Sequence, residues 1–300
     1  MENLTIKIAT INENLKNNLQ EFVFNCENQY KNQIKEIVSK VYLNKNIKFV
    51  LLAGPSSSGK TTTARIICEN FAKVNIKAKP ISLDDFFVNR EDTPRWEDGK
   101  YNYESVDAID WKLFDECMSN LLNNKKSKMP IYDFITGKKS LAYESTLEDN
   151  EIIVIEGLHS LNPIIDNFIP KDKCIKIYLA PQIEFINNSG KTILNGKEMR
   201  FFRRLIRDAF TRGTSPSQTL KVWPDVIKGE TLYIDPFKDL CDYAINTAHL
   251  YEVGVYKSIL KQLNLLDDKG LKVHLYKITE FDFVDKSVVP SDSLLTEFVH

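Results

Sequence analysis

The stretch from residue 48 to residue 61 is the feature that most constrains the fold. An apolar run at residues 49–53 leads directly into residues 54–61, which read G-P-S-S-S-G-K-T, and apolar side chains then recur at helical spacing as far as Phe71. The order is therefore a buried strand, a loop bounded by two glycines, and a helix. The pattern G-x-x-x-x-G-K-T in this context is typical of a phosphate-binding loop.

Each residue type in this loop has a chemical reason. Gly54 and Gly59 let the backbone curl, so that successive N–H groups point at phosphate oxygens. Lys60 can reach the β- and γ-phosphates of a nucleotide, and the Thr61 hydroxyl can bind Mg²⁺. An ordinary Gly/Ser turn is the alternative, but the flanking strand and helix favour a nucleotide site. The predicted nucleotide-binding residues are Gly54, Ser57, Ser58, Gly59, Lys60, Thr61 and Thr62.

Acidic residues follow two other apolar runs of the chain. Asp84 and Asp85 come after a predicted strand at residues 77–83, and Glu156 ends a fully apolar strand that begins at residue 151. Ligands bind at the carboxyl ends of strands in α/β sheets. Asp84 is therefore a candidate general base for a substrate hydroxyl, with Asp85 the less favoured candidate and helix or turn capping the alternative for both. Glu156 is the candidate acid beside Mg²⁺.

Arginine is concentrated in one place. The chain has 40 basic residues, of which eight are Arg, and five of these lie between residues 200 and 212. On a helical wheel four of them share one side, and apolar residues fill the other. A solvated charged face is the alternative, but neighbouring guanidinium groups repel one another unless an anion is close. We interpret the segment as a helical lid that closes on the nucleotide; the four are Arg200, Arg203, Arg204 and Arg207.

Composition excludes several classes of protein. A hydrophobic content of 43% and a charged content of 27% are ordinary for a soluble globular protein. No apolar run is long enough to span a membrane, and the net charge of −1 gives no field that attracts nucleic acid. The five cysteines are scattered and form no C-x-x-C pair, so we expect reduced thiols in a cytoplasmic protein.

Alternating strands and helices predict an α/β fold of the three-layer type, with a mainly parallel sheet of five strands. We expect one catalytic domain over residues 46–265, with the lid at about 188–215. Residues 1–45 form an N-terminal extension with an amphipathic helix from about residue 28; before it the apolar residues are too sparse to define a core. Residues 266–300 form a C-terminal segment packed on the catalytic domain, with a strand-like run at 271–278.

The combination of motifs resembles the uridine kinase branch of the phosphoribulokinase/uridine kinase family. The residues that carry the resemblance are the loop at 54–61, S-L-D-D-F-F at 82–87, P-I-Y-D-F at 130–134, I-E-G at 155–157 and R-F-F-R-R-L-I-R-D at 200–208. The chain looks most similar to bacterial uridine kinase-like proteins, many of which also carry an N-terminal TGS-type domain. We expect no such domain here, because the residues before the kinase domain in this sequence are too few to hold it.

The resemblance implies roles for individual residues. Asp84 matches the carboxylate that activates a nucleoside 5′-hydroxyl, and Glu104 stands where relatives have an Asp that holds the ribose hydroxyls. With Lys60, the resemblance also implies catalytic roles for Arg203 and Arg207, which match arginines that contact phosphate. The substrate-binding residues that it implies are Asp84, Tyr103, Glu104, Tyr132, Phe134, Arg200 and Gln218.

One position departs from the family pattern. Three residues beyond Phe134, where relatives have a His that reads the pyrimidine, this chain has Gly137. Loss of a buried hydrogen-bonding partner changes substrate discrimination by several-fold to hundreds-fold. The departure therefore concerns the identity of the acceptor and leaves phosphoryl transfer as the expected reaction.

Three hypotheses follow from the sequence. The first is an Mg²⁺-dependent kinase that moves the γ-phosphoryl group of ATP or GTP to a nucleoside, uridine or cytidine in the first place. The second keeps this chemistry but uses another small hydroxyl compound, and the third is a catalytically silent nucleotide-binding regulatory module. All three expect a small-molecule ligand, no nucleic acid or membrane partner, and allow a homo-oligomer.

Overall fold

The computed structural model describes residues 3–299, and within them the helices and strands alternate along most of the chain. The strands are β1 (Leu4–Lys7), β2 (Phe49–Ala53), β3 (Lys77–Ser82), β4 (Ser127–Asp133), β5 (Lys138–Ser145), β6 (Glu151–Glu156), β7 (Cys174–Ala180), β8 (Ile183–Ile186), β9 (Thr192–Asn195) and β10 (Tyr243–Asn246). The α-helices are α1 (Ile8–Asn17), α2 (Leu19–Leu43), α3 (Lys60–Lys73), α4 (Trp111–Leu122), α5 (Gly196–Thr211), α6 (Pro216–Tyr233), α7 (Glu252–Gln262) and α8 (Lys272–Tyr276).

The central sheet has five parallel strands in the order β10-β7-β2-β6-β3. The strand before the glycine-bounded loop, β2, lies in the middle, with Leu52 level with Glu156 of β6. Because the strands are parallel, their carboxyl ends meet at one edge of the sheet, and the loop lies at that edge. The prediction of an α/β fold with a five-stranded parallel sheet is confirmed.

Helices cover both faces of this sheet. Side chains of β2 point alternately to the two sides, so that Val50 and Leu52 join one buried cluster and Phe49 and Leu51 join the other. The first cluster contains the inner faces of α2, α3, α5 and α7, and the second contains α4 and the segment that follows β3. The loop between β2 and α3 is therefore held from both sides by packed layers.

Two smaller sheets flank the central one. The antiparallel pair β4–β5 extends the short strand predicted at residues 130–134 into a hairpin whose turn contains Gly137. The second small sheet joins β1, β8 and β9, with β1 parallel to β8. Its last strand leads directly into α5, so this small sheet fixes where the arginine-bearing helix begins.

The expectation for the first 27 residues is wrong for the described residues. Residues 8–17 form α1, in which Ile8 and Ile11 are fully buried, and α2 begins at Leu19, well before the predicted start near residue 28. Three apolar residues at spacings of three and four are enough to give α1 a buried face, because this face packs against a core to which other elements also contribute. The N-terminal segment is thus part of the main apolar core.

The strand expected at residues 271–278 is also wrong, because the segment contains the short helix α8. Leu271, Leu275 and Ile278 are buried, whereas Val273 is 72% exposed. The buried positions follow the helical spacing of four and three. The alternation of apolar residues that suggested a strand included Val273, which is exposed. No helix among residues 3–299 combines the length and apolar character needed to cross a membrane.

Candidate active site

The loop at residues 54–61 has the backbone shape that phosphate binding requires. Gly59 has φ +91°, and a Cβ at Gly54 would lie 2.2 Å from the carbonyl oxygen of Leu179. Ser57 also adopts a left-handed φ of +58°. A serine rarely takes this conformation unless its surroundings impose it. The hydroxyl groups of Ser57 and Ser58 are buried and make no hydrogen bond with the described residues, as expected of groups that face a ligand.

Arginines of α5 hold the outer side of this loop. Arg200 donates to the carbonyl oxygen of Ser56 at 3.1 Å, and Arg203 donates to the carbonyl oxygens of Ser57 and Ser58 at 3.4 and 3.5 Å. With these carbonyl groups bound on the outside, the N–H groups of the same peptide units are directed away from the arginines. The helix thus helps to set the loop in an anion-binding conformation.

Two of these arginines are neutralised by protein carboxylates. Arg203 is fully buried and donates three hydrogen bonds to Glu252, one from Nε at 3.0 Å and two from Nη2 at 2.8 and 3.0 Å. Arg200 is 2% exposed, and its Nη2 lies 2.6 Å from an oxygen of Glu230. The anions beside these two guanidinium groups are therefore part of the chain itself, and α5 is anchored in the core at this end.

The other two arginines of α5, together with Arg212 directly after its end, surround Asp208. Asp208 is 2% exposed and accepts from Arg207, while Arg204 lies 3.3 Å and Arg212 lies 3.6 Å from its carboxylate. One carboxylate shared by three guanidinium groups leaves excess positive charge at this end of α5. Burial lowers the pKa of Arg204, and the neighbouring Arg207 lowers it further. A phosphate group would be attracted to this end of the helix.

The lysine of the loop folds back across it. Lys60 Nζ donates to the carbonyl oxygens of Gly54 and Pro55 at 2.9 and 3.3 Å. Thr61, the next residue, donates to Glu156 at 3.3 Å, and Ser82 donates to the same oxygen of Glu156 at 2.9 Å. The carboxylate at the end of β6 and the two hydroxyl oxygens, at the end of β3 and the start of α3, are the hard oxygen ligands that Mg²⁺ prefers, so the residues present fit that ion.

Three carboxyl groups at this edge of the sheet have raised pKa values. Burial raises the pKa of Glu156 to about 7, with a further increase from Asp84 and an opposite effect of Lys60. Burial also raises the pKa of Glu104 to about 7, and Arg204 opposes that shift. The pKa of Asp84 is raised by burial as well, while Lys60 and Arg212 lower it. Acids with shifted pKa values in one cleft indicate a functional site.

Aromatic rings form the wall beside Asp84. The ring of Phe87 lies 5.8 Å from that of Tyr103, 5.5 Å from that of Tyr132 and 6.1 Å from that of Phe134. Asp85 fixes the hairpin next to this wall, because its carboxylate accepts from the backbone N–H of Tyr132 at 3.2 Å. Phe134 is 58% exposed, so it can stack on a planar ligand.

Most predicted site residues meet at the carboxyl edge of the sheet, but Gln218 caps the start of a helix. It lies in the first turn of α6, where its side-chain oxygen accepts from the backbone N–H of Ser215 at 2.9 Å. This is a capping box, which stabilises the start of the helix. Gln218 is exposed, and within residues 3–299 its side chain is hydrogen-bonded to Ser215 and not to Asp84, Glu104 or the aromatic wall. Its substrate-binding role stays a prediction.

Residues near the C-terminus contact the loop, a role that the sequence did not predict. A Cβ at Gly59 would lie 2.4 Å from a methyl group of Leu294, so leucine and glycine are packed face to face. Glu297 accepts from the backbone N–H of Thr62 at 3.3 Å, and Phe298 lies 5.0 Å from the guanidinium of Arg203. The sequence signals were the run at 289–295, which belongs to the family resemblance, and its apolar pair 294–295, and neither of them identifies the loop as the packing partner.

Comparison with known proteins agrees with this geometry. The model of the phosphoribulokinase/uridine kinase family matches residues 49–253. A uridine kinase of Borrelia garinii subsp. bavariensis is 28% identical over 222 residues, which cover 72% of this chain and 97% of that protein. A uridine kinase of Ureaplasma parvum is 27% identical over 180 residues, 59% of this chain and 77% of that one.

One solved structure, described as a possible uridine kinase from Bacillus stearothermophilus, is 17% identical and superposes with a TM-score of 0.48 over 71% of this chain and 97% of that chain. The match of the family model includes the loop, both strand-end acids and the arginine helix.

Proposed function

Because the chain belongs to the phosphoribulokinase/uridine kinase family, we propose that this kinase moves the γ-phosphoryl group of ATP or GTP to the 5′-hydroxyl of a nucleoside, uridine or cytidine in the first place. The observation that carries the proposal is the meeting of the phosphate loop and three acids at one edge of the sheet. Lys60 lies within the electrostatic reach of Asp84, Glu104 and Glu156.

The loop would bind the phosphates of the nucleotide. The left-handed Ser57 and Gly59 shape the turn, and the hydroxyl groups of Ser57 and Ser58, which make no hydrogen bond with any described residue, are available to phosphate oxygens. Lys60 would leave the carbonyl oxygens of Gly54 and Pro55, which it now contacts, and reach the terminal phosphates. The dipole of α3 adds a favourable interaction with the anion.

Thr61 and Glu156 would hold the magnesium ion, with Ser82 fixing the Glu156 carboxylate. When bound, Mg²⁺ neutralises charge on the phosphates and so supports transfer of the terminal group. The pKa of Glu156 near 7 means that the free protein keeps this carboxyl group partly protonated at neutral pH. A nearby cation favours the ionised form, so metal binding and proton release are coupled.

Asp84 would accept the proton of the attacking hydroxyl. Burial raises the pKa of Asp84, which favours a group that takes up a proton, while the positive charges of Lys60 and Arg212 oppose that rise. Glu104 would contact the sugar, and the aromatic wall of Phe87, Tyr103, Tyr132 and Phe134 would stack on the base. Arg207 and Arg212 would contribute positive charge near the transferred group.

The test is release of ADP or GDP by the purified protein with Mg²⁺, measured against a panel of nucleosides and other small alcohols. Turnover that depends on uridine or cytidine supports the proposal. Turnover with another hydroxyl compound alone keeps the phosphoryl-transfer mechanism and overturns the nucleoside acceptor. Nucleotide binding without turnover on the whole panel overturns the kinase proposal and favours a regulatory module.

A further inference from the structure

The guanidinium of Arg90 occupies the space next to Gly137. Gly137 is buried in the hairpin turn with φ +71°, and a Cβ at this position would lie 2.6 Å from Arg90 Nε and 2.7 Å from its Cζ. Position 137 therefore has no room for a side chain while Arg90 keeps this conformation. The polar group next to Gly137 is therefore the guanidinium of Arg90, which belongs to the loop after β3 and not to the hairpin.

Arg90 is fixed in place by three hydrogen bonds. Its Nε donates to the hydroxyl of Tyr103 at 3.2 Å, its Nη2 to the carbonyl oxygen of Phe134 at 2.6 Å, and its Nη1 to that of Ile135 at 3.3 Å. A guanidinium has five N–H groups in one plane, so two remain for a ligand. These contacts tie the guanidinium plane to Tyr103 and Phe134, two residues of the predicted acceptor pocket.

A second observation points to a ligand at the same wall. Tyr132 is 4% exposed, and its hydroxyl makes no hydrogen bond of standard length within the described part of the chain, although the neighbouring Tyr103 adds to the rise that burial causes in its pKa. Its ring lies 5.1 Å from that of Phe134, whose carbonyl oxygen Arg90 holds. A buried hydroxyl without a partner costs free energy unless a bound group completes it.

We propose that Arg90 reads the far edge of the acceptor base and selects a ring that presents a carbonyl oxygen there, so that uridine is a better acceptor than cytidine. The inference rests on the proposed nucleoside kinase activity. Arginine can only donate hydrogen bonds, and it remains charged throughout the physiological pH range. The 4-carbonyl oxygen of uracil accepts such a bond, whereas the 4-amino group of cytosine brings N–H against N–H.

The test compares kcat/KM for uridine and cytidine in the wild type, Arg90→Met and Arg95→Met. Arg95 is a matched control, because it is an exposed arginine of the same loop that donates to Gly99 at 2.7 Å and lies over the Tyr101 ring. A hydrogen bond to a charged group predicts that the wild type prefers uridine by about tenfold or more. We expect Arg90→Met to reduce the ratio to about one through loss of uridine turnover, and Arg95→Met to preserve it.

An unchanged uridine-to-cytidine ratio of kcat/KM in Arg90→Met overturns the inference. An equal loss of kcat/KM for both nucleosides also overturns it, because Arg90 would then have a structural role only. Where Arg90→Met does not fold, Tyr103→Phe removes the hydroxyl that holds Nε and keeps the ring; it too must lower the ratio. Failure of the proposed function is seen separately, as a wild type that phosphorylates neither nucleoside. Direct titration with uridine then decides: binding that Arg90→Met weakens supports the inference, and no binding overturns it.

Discussion

Arg203 and Glu252 form a buried ion pair behind the phosphate loop, with both side chains fully inaccessible to solvent. Tyr256 donates to the same carboxylate at 2.5 Å, and Arg203 also donates to the carbonyl oxygen of Thr247 at 2.7 Å. The pair connects α5 to the start of α7 and places the guanidinium against the carbonyl oxygens of the loop.

We expect Glu252→Gln to destabilise the protein by about 3 to 5 kcal/mol, because it leaves the Arg203 charge buried without its counter-ion. Urea unfolding followed by circular dichroism measures the change. The matched control is Glu69→Gln, which removes an ion pair with Arg65 at the exposed surface of α3 and should cost no more than about 0.5 kcal/mol. Equal effects of the two substitutions would contradict a structural role of the buried pair.

Asp84→Asn should lower kcat by about 10² to 10⁴, because it removes the proposed acceptor of the hydroxyl proton. The nucleotide should still bind, since the loop and Lys60 are unchanged, and isothermal titration with ATP checks this. Asp85→Asn is the control: the amide oxygen can still accept from the N–H of Tyr132, so activity should stay within a few-fold of the wild type. A variant with normal turnover at position 84 would rule out Asp84 as the base.

Glu104→Gln should stabilise the protein at pH 8 and not at pH 4. Burial raises the pKa of Glu104 to about 7 in the folded state, above the ordinary value of 4.5. As the pH rises from 4.5 to 7, the unfolded chain loses this proton first, so the wild type loses stability over that window. We expect a gain of about 1 to 2 kcal/mol at pH 8, since solvent screens part of the effect at a half-buried carboxylate.

Thermal unfolding at several pH values measures this difference. Glu116→Gln, an exposed position on α4, is the control and should shift the melting temperature equally at each pH. If Glu104→Gln behaved in the same way as Glu116→Gln, burial of the Glu104 carboxyl group would not be the source of the effect.

Glu297→Ala should tighten nucleotide binding by about three- to tenfold. The Glu297 carboxylate accepts from the N–H of Thr62, at the start of the helix where the phosphates are expected to bind, and it repels them. Titration with ATP at fixed ionic strength measures the dissociation constant. Glu297→Gln removes the charge and keeps an acceptor oxygen, so its dissociation constant for ATP should lie between those of the wild type and Glu297→Ala. Weaker binding by both variants would show instead that Glu297 supports the nucleotide.

The sequence predicts the centre of the molecule well, because each signal there is local. A strand, a loop and a helix follow one another between residues 49 and 73, and the position of Glu156 at the end of an apolar strand needs no distant partner to be recognised. The confirmed five-stranded sheet follows from the same alternation of strands and helices. The assignment of Asp84 to the same edge depends only on the parallel order of β3 and β6.

The surroundings of the arginines could not be predicted in this way. Arg203 and Arg200 are neutralised by carboxylates 49 and 30 residues further along the chain, so the helical wheel shows the charges without their partners. From the sequence alone, the cluster of guanidinium groups predicts contact with a phosphate. In the folded chain, however, protein carboxylates are the anions beside two of these groups. Arg90 was missed for the same reason, since its contact with Gly137 joins segments 47 residues apart in the numbering.

The packing of Leu294 on Gly59 has a consequence for synthesis of the protein. The ten strands of the described residues and the arginine helix precede residues 293–298 in the chain, so they leave the ribosome first and can begin to assemble. At that stage the glycine-bounded loop still lacks its contacts with Leu294 and Glu297. A nascent chain of this protein therefore acquires its finished phosphate loop only after residues 293–298 have left the ribosome, when the central sheet is already made.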